Sequence, residues 1–386
     1  MANNNDNKVL NVPPLRFPEF SGEWKMCTIG ELITKVGSGV TPRGGEAVYK
    51  TEGHPFVRSQ NVGLGNLLLD DIAFIDEETH LRQKNTELQF NDVLLNITGA
   101  SIGRSALVDK QIVGGNVNQH VCIIRTKENL VPSFICSFLL SNYGQRQIDS
   151  FQAGGNRQGL NFEQIKSIKI TIPSKDEQIK IAKLLRAIDE RIATQNKIID
   201  KLQSLIKGLR VCCMQRNGSD NVYLSEIAQI YQPQTISSAE LTEDGFLVYG
   251  ANGIIGKYKD YNHKTEQICI TCRGNTCGMV NYTKPMSWIT GNAMVINTDK
   301  YQDKVYKKYL YHYLSAYNFN SIISGSGQPQ IVRTPLEKLK ITLPTISEQK
   351  QKAMILDKIQ DKIEINHNIL NLYILQKQYL LRQMFI

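Results

Sequence analysis

The feature that most constrains the fold is a segment that the chain contains twice, 171 positions apart. "ITIPSKDEQIKIAKLL" (170–185) and "ITLPTISEQKQKAMIL" (341–356) place an alternating strand, a proline, a capping residue and a long apolar-periodic helix in the same order. Ser174 and Glu177 match the capping box, in which the cap and the third helical residue exchange hydrogen bonds, and the second copy repeats the pattern. The repetition predicts two copies of one structural unit.

The repeat continues upstream through glycine-rich turns. "DVLLNITGASIG" (92–103) aligns with "QICITCRGNTCG" (267–278), which pairs two glycines of each copy. Both halves therefore share the order of an opening helical element, strands with glycine-rich turns, a helix, a last strand and a long helix. This order predicts an α/β protein in which two long helices separate two mixed α/β domains. The predicted boundaries are 1–173 for the first domain, 174–216 for the first helix, 217–344 for the second domain and 345–386 for the second helix.

The apolar residues of both long helices recur with a heptad period. The first helix places Ile181, Ile188, Leu202 and Leu209 at position a, Leu184, Ile198 and Leu205 at d, and Leu185, Ile192, Ile199 and Ile206 at e. The second helix keeps the phase, with Ile359, Tyr373 and Leu380 at a, Ile355 and Ile369 at d, and Leu356, Ile363, Leu370 and Met384 at e. A stripe this wide predicts a partner helix, and the obvious partner is the other copy. Each helix of ~38 residues would be roughly 57 Å long, which suits a spacer.

Both stripes are interrupted by a polar residue at the same a position, Gln195 in the first helix and Asn366 in the second. A buried polar residue at a single a position costs stability and fixes the register of a helix pair. We interpret Gln195 and Asn366 as such a register pair, although polar positions that are merely tolerated near solvent would look the same.

Composition favours a polyanionic partner. The net charge is +9 and the pI is near 9.0, which is typical of many nucleic-acid-binding proteins. Eight cysteines are scattered without a disulfide framework, and the sequence has neither a secretory signal nor a membrane span, so we expect a cytoplasmic protein with reduced thiols.

The motifs that would indicate an enzyme are incomplete. "NVPPL" (11–15) carries an extra Val12 and lacks the aromatic residue of an amino-methyltransferase motif, and "GANGIIGKY" (250–258) has one residue too many for a nucleotide-binding loop. Cys269 and Cys272 have the spacing of metal ligands, but the first copy has hydrophobic residues at these places. We therefore predict no catalytic and no metal site.

Polar and basic side chains on glycine-rich turns occur in both halves. Arginine can pair with guanine, and Asn or Gln with adenine, in a DNA major groove, whereas the same residue types are also ordinary loop formers. The candidate DNA-binding residues of the first domain are Arg43, Arg58, Gln60, Asn61, Arg104, Asn118, Gln119, Arg157 and Gln158. Those of the second domain are Tyr249, Asn252, Arg273, Asn275, Gln328, Gln330 and Arg333.

Three segments carry a family resemblance. "VPPLRFPEFSGEW" (12–24), "IPSKDEQIKIAKLLRAIDERI" (172–192) and "LPTISEQKQKAMILDKIQDKI" (343–363), with the paired glycine-rich modules, resemble the specificity subunit of a type I restriction-modification system. The resemblance covers nearly the whole chain, and its most specific element is the Pro-x-x-x-Glu-Gln helix start that occurs twice.

The resemblance implies a non-catalytic, sequence-specific DNA-binding subunit. Two target-recognition domains would each read half of a bipartite site in double-stranded DNA, and an antiparallel coiled coil of the two helices would hold them apart. Partners would be two methyltransferase subunits and ATP-dependent restriction subunits, so S-adenosylmethionine, ATP and Mg are expected on the partners and no cofactor in this chain. From the residues alone, a protein-binding adaptor made of two repeated α/β modules remains the alternative.

Overall fold

A computed structural model describes residues 11–44, 48–152, 159–214, 220–251, 253–325 and 327–386. The chain forms two compact units, Met1–Asn196 together with Ile369–Ile386, and Lys197–Asn368. Each long helix contributes residues to both units, whereas the predicted boundaries had separated the helices from the domains.

The first half of the chain contains nine strands and six helices among its described residues. The strands are β1 (Lys25–Thr28), β2 (Ile33–Ser38), β3 (His54–Val57), β4 (Ala73–Ile75), β5 (Val93–Asn96), β6 (Ser105–Leu107), β7 (Asn116–Val117), β8 (Val121–Thr126) and β9 (Lys169–Ile172). The helices are α1 (Ile29–Leu32), α2 (Glu77–Arg82), α3 (Pro132–Leu140), α4 (Asn142–Ser150), α5 (Phe162–Ser167) and the long α6 (Lys175–Met214).

The second half repeats the strand pattern with fewer helices. Its strands are β10 (Asp220–Tyr223), β11 (Gln229–Tyr231), β12 (Phe246–Gly250), β13 (Gly253–Tyr258), β14 (Ile268–Thr271), β15 (Val280–Tyr282), β16 (Trp288–Ile289), β17 (Ala293–Asn297) and β18 (Lys340–Leu343). Its helices are α7 (Lys307–Ala316), α8 (Arg333–Glu337) and the long α9 (Ile346–Gln383).

The sheets of the two halves have the same topology. The four-stranded sheets have the orders β2-β8-β5-β6 and β11-β17-β14-β15, and the three-stranded sheets have the orders β4-β3-β7 and β13-β12-β16. In each three-stranded sheet one pair is antiparallel and the other is parallel. A two-stranded sheet, β1-β9 or β10-β18, completes each half. The predicted internal repeat of two mixed α/β domains is confirmed.

A buried glutamine joins each long helix to its domain. The Oε1 of Gln178 accepts from Val131 N (2.9 Å), and its Nε2 donates to Asn129 O and Pro173 O (both 3.1 Å). Gln349 makes the equivalent three bonds in the second unit. The repeated Glu-Gln pair therefore places the glutamine where it satisfies backbone groups just before α3 and α7, which a buried junction needs.

The capping box is complete in one copy only. Thr345 and Glu348 exchange hydrogen bonds at the start of α9. At the start of α6, Glu177 N donates to Ser174 Oγ (3.4 Å), but the carboxylate of Glu177 instead receives Nε and NH2 of Arg16, both at 2.8 Å. The prediction of identical caps was wrong for α6, because a bidentate ion pair with arginine is stronger than a bond to one neutral amide.

The long helices pack antiparallel within each unit. In the first unit the early part of α6, at Ile181 and Leu185, joins the same core as Leu380 near the end of α9. In the second unit Ile206, near the end of α6, packs with Leu356 and Ile363 of early α9. The predicted antiparallel coiled coil is confirmed.

Three residues of the predicted d row lie outside this helix interface. Most of the large apolar residues that are buried in both helices are at positions a and e, while Ile198, Leu205 and Ile355 of row d are 38%, 49% and 54% exposed. A two-helix seam uses two positions per heptad, spaced alternately by three and four residues, and rows a and e have that spacing. These three residues of the third apolar row therefore remain on the surface, whereas Leu184 of the same row packs against the first core.

The end of α9 enters the core of the first unit. Phe385 is fully buried, with its ring centroid 5.2 Å from that of Phe134 and 6.2 Å from that of Phe138. The carbonyl of Gln383 accepts from Leu15 N at 3.0 Å. Leu380, Leu381, Met384 and Phe385 are thus part of the first unit's hydrophobic core.

In the part of the chain that is described, no helix is both long enough and apolar enough to cross a bilayer.

Candidate nucleic-acid interface

Three strands of the first four-stranded sheet expose their connections at one edge. The antiparallel pairing places Ser38, where β2 ends, opposite Cys122, the second residue of β8. Asn96, where β5 ends, lies opposite Val121. The connections that follow β2 and β5 and that precede β8 therefore leave the sheet on the same side.

The three-stranded sheet adds its connections to the same edge. β3 and β7 run parallel, and Asn118 N donates to Val57 O (3.0 Å) just beyond their ends. Thr98 forms an isolated bridge with Gly159. We call this surface the first loop edge; it comprises residues 39–44, 58–61, 97–104, 118–120 and 159.

The second unit forms an equivalent surface. β11 and β14 both end where β17 begins, with Thr271 opposite Ala293. Arg273 forms an isolated bridge with Gln330, which is equivalent to the bridge of Thr98 with Gly159 in the first unit. The second loop edge comprises residues 232–237, 250–251, 272–278, 290–292 and 328–330.

The glycines that align in the sequence have the same conformation. Gly99 and Gly274 have φ of 71° and 83°, and Gly103 and Gly278 have φ of 84° and 91°. Glycine adopts this left-handed region without the steric cost that a side chain adds. The glycine-rich turn after β5 and after β14 is therefore one structure used twice.

Exposed polar side chains of the first loop edge include Arg43, Arg104 and Gln119. Within the described residues, neither guanidinium has a hydrogen-bond or ion-pair partner, so both are available to an anion. Asn118 is buried, and its Oδ1 accepts from His120 N at 3.0 Å. Arg157 and Gln158 lie outside the described residues.

The other three candidates of the first domain converge on one carboxylate. Arg58 NH2 donates to the Asp71 carbonyl at 2.7 Å, Gln60 Nε2 donates to its carboxylate, and Asn61 Nδ2 does so at 2.9 Å. Asn61 is fully buried, and its Oδ1 accepts from Arg58 N. These contacts order the turn after β3, and Gln60 is the exposed member of the set.

The second loop edge exposes Arg273, Asn275, Gln328 and Gln330. Gln330 also pairs through its backbone with Ser324. These four candidates lie together because the Arg273 bridge joins the turn after β14 to the segment before α8.

The remaining candidates of the second domain are placed differently. Arg333, at the start of α8, donates through Nε to Glu337 at 2.6 Å. Tyr249 is buried, its hydroxyl accepts from Lys284 N (3.0 Å), and burial raises its pKa. Asn252 lies outside the described residues.

Three residues that the sequence did not single out surround Gln119. Thr41 N donates to Gln119 Oε1 (2.9 Å), Gln119 Nε2 lies 3.0 Å from His120 Nε2, and His120 Nδ1 lies 2.6 Å from Thr98 Oγ1. They come from three separate connections, so only the strand order could have indicated that they meet.

Cys269 and Cys272 of the second unit are buried. Burial raises the pKa of the Cys269 thiol to about 12 and also raises that of Cys272, so both thiols stay protonated at neutral pH. Among the residues that the structure describes, no group of His, Cys, Asp and Glu is arranged to hold a metal ion.

Gln195 and Asn366 are both buried in the long helices. Asn366 Nδ2 donates to the carbonyl of Lys362, one turn earlier, at 2.6 Å. Their role in fixing the register stays a prediction.

Comparison with known proteins gives a consistent result. A family model described as "Type I restriction modification DNA specificity domain" matches residues 21–204 and 217–372. The chain is 25% identical to the type I restriction enzyme MjaVIII specificity subunit of Methanocaldococcus jannaschii, over 91% of this chain and 88% of that protein. It is 32% identical to the type I restriction enzyme EcoprrI specificity subunit of Escherichia coli, over 35% of this chain and 34% of that one.

The fold also has a solved counterpart. The crystal structure of a type I restriction-modification system S subunit from M. genitalium matches with a TM-score of 0.66 at 16% identity, over 97% of this chain and 99% of that one.

Proposed function

The chain belongs to the family of type I restriction modification DNA specificity domains, and we propose that its two loop edges each read one half of a bipartite site in double-stranded DNA. The chain would supply recognition and no chemistry of its own. The family description names DNA specificity, and the repeated architecture fits two modules that each read part of a site.

The observation that carries the proposal is the same strand-end edge built twice with different side chains. Val121 pairs with Asn96 in the first unit, as Ala293 pairs with Thr271 in the second. The residues two positions earlier, Gln119 and Gly291, therefore occupy equivalent places. The two units share the same sheet topology but carry different side chains at their loop edges. Because side chains read a DNA sequence at the base edges, this arrangement suits two modules that read different sequences.

Charge supports a duplex as the ligand. The chain carries a net charge of +9, and Arg43, Arg104 and Arg273 are exposed at the two loop edges. Arginines in such places neutralise phosphates or bind guanine, and the phosphate contribution weakens as salt rises.

The long helices support a spacer role. α6 has 40 residues, which corresponds to about 60 Å at ~1.5 Å per residue. We propose that the helix pair sets the distance between the two half-sites.

Partners would supply the chemistry. The outward apolar residues Ile198, Leu205 and Ile355 give the helices a surface for other helices, and we propose two methyltransferase subunits as the occupants, with ATP-dependent restriction subunits joining the assembly. S-adenosylmethionine, ATP and Mg would then be bound by these partners.

The test removes one heptad from α6 and the facing heptad from α9. Seven residues shorten a helix by about 10 Å, or about three base pairs at ~3.4 Å each. Mapping of methylated adenines by the complex with its methyltransferase subunits should show a spacer shorter by about three base pairs and unchanged half-sites.

Deletion from one helix alone is the matched control. It should abolish site-specific methylation, because the buried residues of the shortened helix would no longer lie opposite their partners on the other helix. Altered half-sites, or an unchanged spacer after the paired deletion, would contradict the spacer role.

A further inference from the structure

The side chain of Gln119 has a fixed orientation. The backbone nitrogen of Thr41 lies 2.9 Å from one of the two terminal atoms of the Gln119 amide. Because a backbone N–H can only donate, this atom must be an acceptor. That atom is therefore the oxygen Oε1, which also accepts from the Thr41 hydroxyl. The amide nitrogen consequently faces His120.

The orientation of Gln119 determines the tautomer of His120. Gln119 Nε2 carries hydrogens and lies 3.0 Å from His120 Nε2, so this ring nitrogen accepts and carries no proton. In a neutral ring the proton is then on Nδ1, which donates to Thr98 Oγ1 at 2.6 Å. A chain of hydrogen bonds thus runs from Thr41 through Gln119 and His120 to Thr98.

The same contacts determine what Gln119 presents to solvent. Both acceptor sites of Oε1 are occupied by Thr41, and one hydrogen of Nε2 is occupied by His120. Within the described residues the second hydrogen of Nε2 has no partner, and Gln119 is exposed. Gln119 is therefore left with one free donor and no free acceptor.

We propose that Gln119 reads the first half-site as a donor only and that His120 is its positioning residue, an inference that rests on the proposed function. A glutamine bound to adenine in the usual way needs both its oxygen and its nitrogen, and here the oxygen is occupied. The ligand is a base that presents an acceptor to Nε2 in the major groove, namely guanine through O6 or N7, thymine through O4 or adenine through N7. A cytosine at that position presents its N4 donor and is rejected.

The inference is specific to the first half-site. Gly291 occupies the place of Gln119 in the second unit and has no side chain to donate. Changes at Gln119 and His120 should therefore leave recognition by the second loop edge unaltered.

The experiment uses the chain assembled with its methyltransferase subunits. Methylation is measured on a library of duplexes in which each position of both half-sites carries each base in turn. Q119E keeps the Thr41 contacts but replaces the donor with an acceptor, so preference at one first-half position should move toward cytosine by about tenfold.

Two variants of His120 test the positioning role. H120A should reduce discrimination at that same position several-fold, because the amide then keeps only its Thr41 contacts and its nitrogen is no longer held. H120N should restore much of it, since an asparagine can accept from Gln119 and donate to Thr98. Q111E is the matched control. Gln111 is an exposed glutamine that is bonded to Asp109 in the turn after β6, away from the first loop edge. Its replacement should leave the base preference at every position unchanged.

The outcomes separate the two claims. If the wild-type complex reads a bipartite site and neither Q119E nor H120A alters any first-half position, the donor role is wrong. A change confined to the second half-site would also overturn it. If the wild-type complex shows no bipartite preference, the proposed function fails and this inference fails with it.

Discussion

Replacing Gln349 by methionine should test how the second domain is joined to its long helix. The glutamine is fully buried. Its Oε1 accepts from Tyr306 N at 2.8 Å, and its Nε2 donates to Lys304 O at 3.1 Å and Pro344 O at 2.8 Å. Methionine has a similar length and no strong hydrogen-bonding group, so the substitution removes three bonds without a large cavity.

The magnitude follows from the number of backbone groups left unpaired. A buried donor or acceptor that loses its partner costs about 1–3 kcal/mol. Three such groups, partly relieved by local movement, give a loss of about 3 kcal/mol in the free energy of unfolding. For a domain of this size that corresponds to a fall in Tm of about 6–12 °C.

The assay is hydrogen exchange of the α7 and early α9 amides as a function of urea concentration, which reports on this unit by itself. Q351M is the matched control, since Gln351 is exposed on the same helix and its replacement should change stability by less than about 0.5 kcal/mol. Q178M should destabilise the first unit to a similar extent. A Q349M protein as stable as Q351M would refute the view that the glutamine joins the helix to the domain.

Two further predictions concern the ends of the helix pair. F385A removes a fully buried ring and should cost the first unit about 3–5 kcal/mol in urea unfolding, whereas F90A, at a residue that is 56% exposed, should cost little; equal losses would contradict the packing role. Burial lowers the pKa of His312, whose Nε2 donates to Asp357. As the pH falls, this histidine is therefore protonated in the unfolded chain before it is protonated in the folded one. Below about pH 6.5 the free energy of unfolding should decrease by at most about 1.4 kcal/mol per pH unit. Hydrogen exchange in α7 should show that H312Q removes this part of the slope, and identical slopes would argue against it.

The sequence was sufficient to predict the repeated architecture because strand alternation, glycine position and helix caps are local signals. The pairing of Gly99 with Gly274 follows directly from aligned turns, and both glycines have the same left-handed conformation. Local patterns also indicated that two long helices pair.

What the sequence could not predict depends on contacts between distant segments. Rows d and e of the heptads both carry large apolar residues, so only the packed structure distinguishes a buried residue of row e, such as Ile206, from an exposed residue of row d, such as Leu205. The carboxylate of Glu177 pairs with Arg16, 161 positions away, instead of with the backbone of its own cap. Arg58 likewise looked free to bind a base, yet it binds Asp71.

The division of the chain into a continuous and a discontinuous unit affects how the protein is made. Lys197–Asn368 is one uninterrupted segment, whereas the other unit needs both Met1–Asn196 and Ile369–Ile386. During synthesis the domain encoded second can acquire all of its residues first, while the domain encoded first waits for Phe385 and its neighbours to leave the ribosome. A premature stop codon after residue 368 would therefore remove part of the first unit and leave all residues of the second unit in place.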